Sequence, residues 1–111
     1  MIIAVDFDGT IVEDRFPEIG EFLPDAKAVL RILYDQGHTL VLNTCRTGKA
    51  GAAAIQFLAD ADVRFHYFNR NDPTRTVEYG LDSRKVSADL YIDDRNLGGF
   101  PGWWTVLKEV V

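Results

Sequence analysis

The chain is short of basic residues, cysteine and long apolar runs, and each shortage excludes a class of protein. Lys and Arg together number 12 against 17 Asp and Glu, which leaves a formal net charge of −5. Nucleic acids and anionic membranes select clustered Lys and Arg, so we expect neither general nucleic-acid binding nor membrane binding. The one cysteine, Cys45, cannot form an internal disulfide. No apolar run reaches the ~20 residues of a membrane-spanning helix, and we expect a cytoplasmic protein.

The composition is otherwise that of a globular domain. Of the 111 residues, 47% are hydrophobic and 26% are charged, close to the average for folded proteins. A chain of this length is expected to bury roughly 60–70% of its unfolded surface. We therefore expect a single domain that spans residues 1–111.

Apolar runs of strand length alternate with segments of helical periodicity. Four runs are predicted to be strands: 2–5, 39–43, 63–68 and 90–92. Two segments are predicted to be helices: 24–37 and about 49–59. The remaining stretches are predicted to be a loop or short flap (10–24), turns (69–83), and a final loop with an edge strand (98–107). The alternation predicts an α/β fold, a doubly wound Rossmann-like parallel sheet with helices on both faces.

Two of these strands end in paired carboxylates. Asp6 and Asp8 follow the first strand and precede Gly9, and Asp93 and Asp94 follow the last one. Ligands of parallel sheets bind beyond the carboxyl ends of the strands. Clustered carboxylates repel one another unless a cation or a shared proton offsets their charge. Because oxygen ligands suit Mg²⁺, the sequence predicts a magnesium site at this edge.

The segment Asp6-Phe7-Asp8-Gly9-Thr10 resembles the first signature of the haloacid dehalogenase-like hydrolases. These form an α/β superfamily of mostly magnesium-dependent phosphatases that work through a phosphoaspartate. Three further matches follow in order: Thr44 after an apolar run, Lys85, and the pair Asp93-Asp94. The resemblance implies a sheet with the first strand at its centre. Since no insertion of domain size separates the matches, it also implies a member without a cap domain.

The resemblance implies a role for each acidic match. Asp6 would be the nucleophile, and Asp8 would be the general acid and then the general base. The metal ligands would be Asp6, Asp93 and the backbone carbonyl of Asp8. Lys85 would offset the negative charge of Asp6 and of the phosphate.

The segment after the second strand is predicted to bind the phosphate. Thr44 would offer its hydroxyl and its backbone N–H to a phosphate oxygen. Arg46 is interpreted either as a second phosphate contact or as a surface arginine. Gly9 and Cys45 complete the predicted phosphate-binding set, with the Cys45 thiol expected to be a small, partly buried filler.

The expected function is therefore a magnesium-dependent phosphatase that acts on a phosphorylated substrate. Three alternatives stay open: a receiver-like signalling module with a phosphorylatable aspartate, a catalytically inactive, metal-binding relative, and a phosphotransferase that uses the same aspartate. The aromatic residues Phe100, Trp103 and Trp104 suit either the core, which is the preferred interpretation, or the interface of a homo-oligomer.

Overall fold

The computed structural model describes residues 1–80 and 83–110, in which strands and helices alternate. The strands are β1 (Ile2–Val5), β2 (Thr39–Leu42), β3 (Tyr67–Phe68) and β4 (Leu90–Ile92). The helices are α1 (Ala26–Asp35), α2 (Gly48–Asp60), α3 (Pro73–Tyr79) and α4 (Trp103–Val110). None of the helices in these ranges is long and apolar enough to cross a membrane.

The four strands form one parallel sheet in the order β3-β2-β1-β4. The predicted α/β fold is confirmed, with β1 inside the sheet between β2 and β4. This is the Rossmann arrangement, whereas flavodoxin-like folds place β1 between β2 and β3. No second folding unit is inserted among the described residues, so the fold has no cap domain.

The core is divided unequally between the two faces of the sheet. Side chains alternate along a strand, and Ile3 and Val5 of β1 join the larger cluster. Helices α1, α2 and α4 pack on this face through Leu30, Leu58 and Trp103 among others. The opposite face is smaller, since its buried members are Ala4, Val41 and Val86. Val86 belongs to the stretch that leads into β4, so non-helical chain covers part of this second face.

Helix α1 follows the sequence pattern closely. Its buried residues Ala26, Val29, Leu30 and Leu33 recur at helical spacing and face the sheet. Gly37 ends it with a φ of 90°, a left-handed conformation that glycine adopts without strain.

The C-terminal segment is an exception, because the predicted edge strand is wrong and α4 takes its place. Trp103 and Val106 are buried, and Leu107 and Val110 pack beside them. This spacing is helical, and α4 lies against α1. Trp103 thus belongs to the core, which is the interpretation that the sequence favoured. Trp104, by contrast, is 59% exposed.

Two shorter elements also differ from the prediction. Helix α3 lies in the stretch where turns were predicted to dominate. Pro73 occupies its first turn, and the Asp72 side chain accepts a hydrogen bond from the Thr74 N–H. An Asp-Pro pair is as typical of a helix start as of a turn. Strand β3 retains only two residues of the predicted six-residue run, because its register with β2 pairs only Tyr67 and Phe68.

Candidate active site

Asp6, Asp93 and Asp94, which we call the carboxylate triad, meet at the carboxyl edge of the sheet. The first follows β1 and the other two follow β4, and the Asp6 N–H donates to the carbonyl of Ile92 at 2.9 Å. One carboxylate oxygen of each residue lies within 4.8 Å of the others. Within the described parts of the chain, no Lys or Arg forms an ion pair with the triad.

Burial and the neighbouring carboxylates together raise the affinity of Asp6 for a proton. Burial, then the charge of Asp93 and a contact with Asp94, raise the pKa of Asp6 from 3.8 to about 7. A cation among the three carboxylates would remove this repulsion. The donors are all oxygens, which suits a hard divalent ion such as Mg²⁺ rather than zinc. The residues present therefore fit the metal that the sequence predicts.

Thr10 connects two members of the triad through its hydroxyl group. Its hydroxyl donates to Asp6 Oδ2 at 3.1 Å and accepts the backbone N–H of Asp94 at 3.0 Å. Its carbonyl accepts a hydrogen bond from the indole N–H of Trp103 at 2.7 Å, so α4 supports the site. Thr10 is fully buried. It belongs to the signature segment, but the sequence alone assigned it no role.

Gly9 makes room for the triad instead of contacting a phosphate. Its φ is +84°, and a Cβ at this position would lie 2.2 Å from Asp94 Oδ2. Its N–H donates to the carbonyl of Val12 at 2.8 Å and is therefore occupied. The prediction that Gly9 binds phosphate needs correction, since the residue serves the turn and the packing of Asp94.

Asp8 lines the same cleft but is already neutralised by Arg46. The guanidinium donates from Nε to Asp8 Oδ2 at 2.7 Å and from Nη2 to Asp8 Oδ1 at 2.8 Å. The Arg46 side chain is 1% exposed and that of Asp8 is 16% exposed. The hydrogen bonds and the charge of Asp8 raise the pKa of Arg46, against the effect of burial. Both Asp8 oxygens are thus engaged.

Arg46 also anchors the loop of residues 10–24, which we call the flap. Its remaining N–H groups donate to the carbonyls of Pro17, Glu18 and Ala50 at 3.3, 2.8 and 3.4 Å. Its guanidinium carbon lies 5.0 Å from the centre of the Phe16 ring. All five N–H donors of the guanidinium are therefore used. Arg46 is neither the surface arginine nor the phosphate contact that the sequence suggested.

Thr44, which was also predicted to bind the phosphate, already uses part of its hydrogen-bonding capacity within the protein. The Thr44 N–H donates to Asn69 Oδ1 at 2.8 Å, and Thr44 Oγ1 accepts the Arg46 N–H at 3.2 Å. The backbone N–H of Thr44 is therefore occupied, while its hydroxyl lines the cleft and keeps its proton to donate. Cys45 also lines the cleft and is exposed, so the prediction of a partly buried filler is wrong.

Lys85 does not line this cleft. Its ammonium lies 5.1 Å from the centre of the Tyr91 ring, and the residue is exposed. The neighbouring Val86 packs against Ala4 and Val41 on the second face of the sheet. This packing fixes the Lys85 segment beside a sheet face instead of at the carboxyl edge. The catalytic role of Lys85 thus stays a prediction, and the structure places its side chain outside the lining of the cleft.

The cleft has a volume of about 390 Å³ and brings together most of the predicted residues. It is lined by Asp6, Asp8, Asp14, Phe16, Thr44, Cys45, Arg46, Asp93, Asp94 and Arg95. Asp14, Phe16 and Arg95 were not predicted to take part. Arg95 could have been predicted, because it directly follows the Asp93-Asp94 pair in the sequence. Nothing in the flap sequence singles out Asp14 or Phe16.

The comparisons with known proteins give one close structural relative. No protein-family model matches the chain, and neither does any curated protein. A solved structure, that of a conserved protein coded by a locus from Bacteroides thetaiotaomicron, is 43% identical in sequence. The match covers 99% of this chain and 88% of that chain, with a TM-score of 0.90. The likeness therefore extends over the whole fold.

Proposed function

This chain belongs to the same family as the conserved protein from Bacteroides thetaiotaomicron, and we propose that it is a magnesium-dependent phosphatase of the haloacid dehalogenase-like type. It would hydrolyse phosphomonoesters through a phosphoaspartate on Asp6. The observation that supports this most strongly is the carboxylate triad, which lies in an open cleft and forms no ion pair with any Lys or Arg of the described residues. Such an arrangement is costly unless a cation and an anionic substrate use it.

Asp6 is the proposed nucleophile. Thr10 fixes one of its oxygens by a hydrogen bond, which orients the carboxylate towards the cleft. As a bond forms between Asp6 and phosphorus, the bond from phosphorus to the leaving alkoxide breaks. Water then attacks the phosphorus of the acyl phosphate, so that inorganic phosphate leaves and the Asp6 carboxylate is restored.

Asp8 is the proposed acid and base. It would give a proton to the leaving alkoxide and take one from the attacking water. Arg46 donates one hydrogen bond to each of its oxygens, which leaves a second acceptor site on each oxygen for the leaving group or the water. The same guanidinium holds the carbonyls of Pro17 and Glu18, so the position of Asp8 is linked to the flap.

The proposed metal ligands are the three carboxylates of the triad. When bound there, Mg²⁺ would neutralise part of the charge on the carboxylates and on the transferred phosphoryl group. The triad includes Asp94, for which the sequence assigned no definite ligand role.

The strand order weakens the receiver-like alternative. Receiver domains have the flavodoxin-like order, whereas β1 here lies between β2 and β4. The inactive, metal-binding relative keeps one specific argument in its favour, namely that Asp8 is held by Arg46 and that Lys85 lies outside the cleft. It is therefore the second candidate.

Release of inorganic phosphate from an aryl phosphate, with and without Mg²⁺, tests the proposal. We expect magnesium-dependent turnover by the parent protein, and a loss on the order of 10⁴-fold or more in Asp6→Asn, as for other nucleophile removals. The matched control is Asp35→Asn, which changes an exposed residue of α1 outside the cleft and should keep the parent rate.

The outcomes separate the candidates. An Asp6→Asn protein as active as the parent would eliminate the mechanism. Magnesium binding in calorimetry without any phosphate release would favour the inactive relative. A stable phosphoaspartate on Asp6 without turnover would revive a signalling role despite the strand order.

A further inference from the structure

The charges that line the cleft leave one cation without a partner. Five carboxylates line it, those of Asp6, Asp8, Asp14, Asp93 and Asp94, together with the two guanidinium groups of Arg46 and Arg95. A phosphomonoester dianion entering this cleft would meet net negative charge from the protein. Even with a divalent metal bound, a further cation would be needed to hold the phosphate.

Two of the candidate cations are unsuited to this task. Every N–H donor of Arg46 is occupied by Asp8 and by backbone carbonyls. Lys85 is absent from the cleft lining and rests over the ring of Tyr91. Arg46 cannot reach a phosphate without breaking these buried contacts, and the Lys85 ammonium lies over a ring outside the cleft lining.

Arg95 meets the requirement in the structure as it stands. It follows the triad directly, and its backbone N–H donates to Asp93 Oδ1 at 2.9 Å. Its side chain is exposed at the cleft, and among the described residues no carboxylate pairs with it. A guanidinium can bind two phosphate oxygens at once.

We propose that Arg95 binds the substrate phosphate and takes the place that the sequence gave to Lys85. This inference rests on the proposed phosphatase function and identifies the residue that selects a dianionic phosphate group. The backbone hydrogen bond to Asp93 places the Arg95 backbone next to the triad. From there its side chain lines the cleft that would receive the phosphate.

The test measures binding of inorganic phosphate to the magnesium-loaded protein by calorimetry, together with KM and kcat for an aryl phosphate. Arg95→Ala should weaken phosphate binding and raise KM by about 10- to 100-fold, the range for losing hydrogen bonds between a cation and an anion. Because binding of substrate and transition state are affected alike, kcat should change much less. Arg95→Lys should give an intermediate loss of phosphate affinity, because lysine keeps the positive charge but cannot form the bidentate hydrogen bonds of a guanidinium.

The matched control is Arg64→Ala, which removes an exposed arginine that pairs with Asp62 away from the cleft. Its phosphate binding should equal that of the parent. Lys85→Ala is the competing variant, and the proposal is overturned if that change weakens phosphate binding while Arg95→Ala does not.

Failure of this inference can be told apart from failure of the proposed function. An active parent that binds phosphate, with an unchanged Arg95→Ala variant, would reject Arg95 alone. A parent that neither hydrolyses the aryl phosphate nor binds phosphate in the presence of Mg²⁺ would reject both.

Discussion

Asp6 and Asp8 stand one residue apart at the end of the same strand, yet their surroundings are opposite. Asp8 has a buried guanidinium against both of its oxygens. Asp6 faces Asp93 and Asp94, and its pKa is raised to about 7. One side of the cleft thus carries its own counter-charge, whereas among the described residues no Lys or Arg pairs with the triad on the other side. This difference separates an internal ion pair from the site that we propose to bind the metal.

The largest expected effect on stability comes from removing the ion pair between Arg46 and Asp8. Arg46→Met should lower the free energy of unfolding by about 3–5 kcal/mol, the usual cost of leaving a buried charge without its partner. Urea denaturation would measure it, with Arg95→Met as the exposed control, expected within about 0.5 kcal/mol of the parent. If both variants were equally stable, Arg46 would not be the anchor of Asp8 and the flap.

A second substitution crowds the triad itself. Gly9→Ala should cost about 1–3 kcal/mol for the clash with Asp94, in addition to the strain of a non-glycine residue at positive φ. Gly98→Ala is the matched control, because Gly98 has a φ of +89° but nothing within 4 Å of its Cβ position. The difference between the two variants isolates the contact with Asp94. Equal losses in thermal denaturation would contradict that contact.

A third substitution removes the hydroxyl that orders the triad. Thr10→Val keeps the shape but leaves the Asp94 N–H without an acceptor and Asp6 without a donor, at a cost of about 1–3 kcal/mol. Thr10→Ser keeps both hydrogen bonds and should recover most of the loss. Denaturant unfolding of the two variants measures the effect, and a Ser variant no better than the Val variant would attribute it to packing alone.

A further effect is a pH dependence of the metal-free protein. Because the folded state raises the pKa of Asp6 from 3.8 to about 7, its protonation favours folding at low pH. That contribution should be lost as the pH rises from about 4 to about 7. The melting temperature of the parent, compared with that of Asp6→Asn, should therefore fall across this window.

The comparison with Asp6→Asn is needed because other groups titrate in the opposite sense. Hydrogen bonds with Thr74 lower the pKa of Asp72, and hydrogen bonds with Ile2 and Arg75 lower that of Asp89. These two carboxylates stabilise the fold above their usual pKa and lose that contribution in acid. They are present in both proteins, so they cancel in the difference. A difference that stays flat with pH would contradict the shift in Asp6.

The regular part of the fold was predictable because its signals are local. The apolar run of β1 and the periodicity of α1 each set one element and one buried face. Helix α4 was missed because Trp, Thr and Val favour strands in isolation, and only packing of Trp103 and Val106 on the core makes the helix preferable. Short segments are decided by tertiary contacts more than by propensity.

The sequence by itself determined the alternating α/β pattern and the placement of carboxylates at the ends of β1 and β4, because neighbouring parallel strands must end at the same edge. It did not determine which cation faces which anion. Arg46 is 38 positions from Asp8 along the chain, and Val86 holds Lys85 beside a different surface of the sheet. Only the tertiary structure decides such pairings, because attraction between charges depends on distance in space and on burial, neither of which sequence spacing specifies.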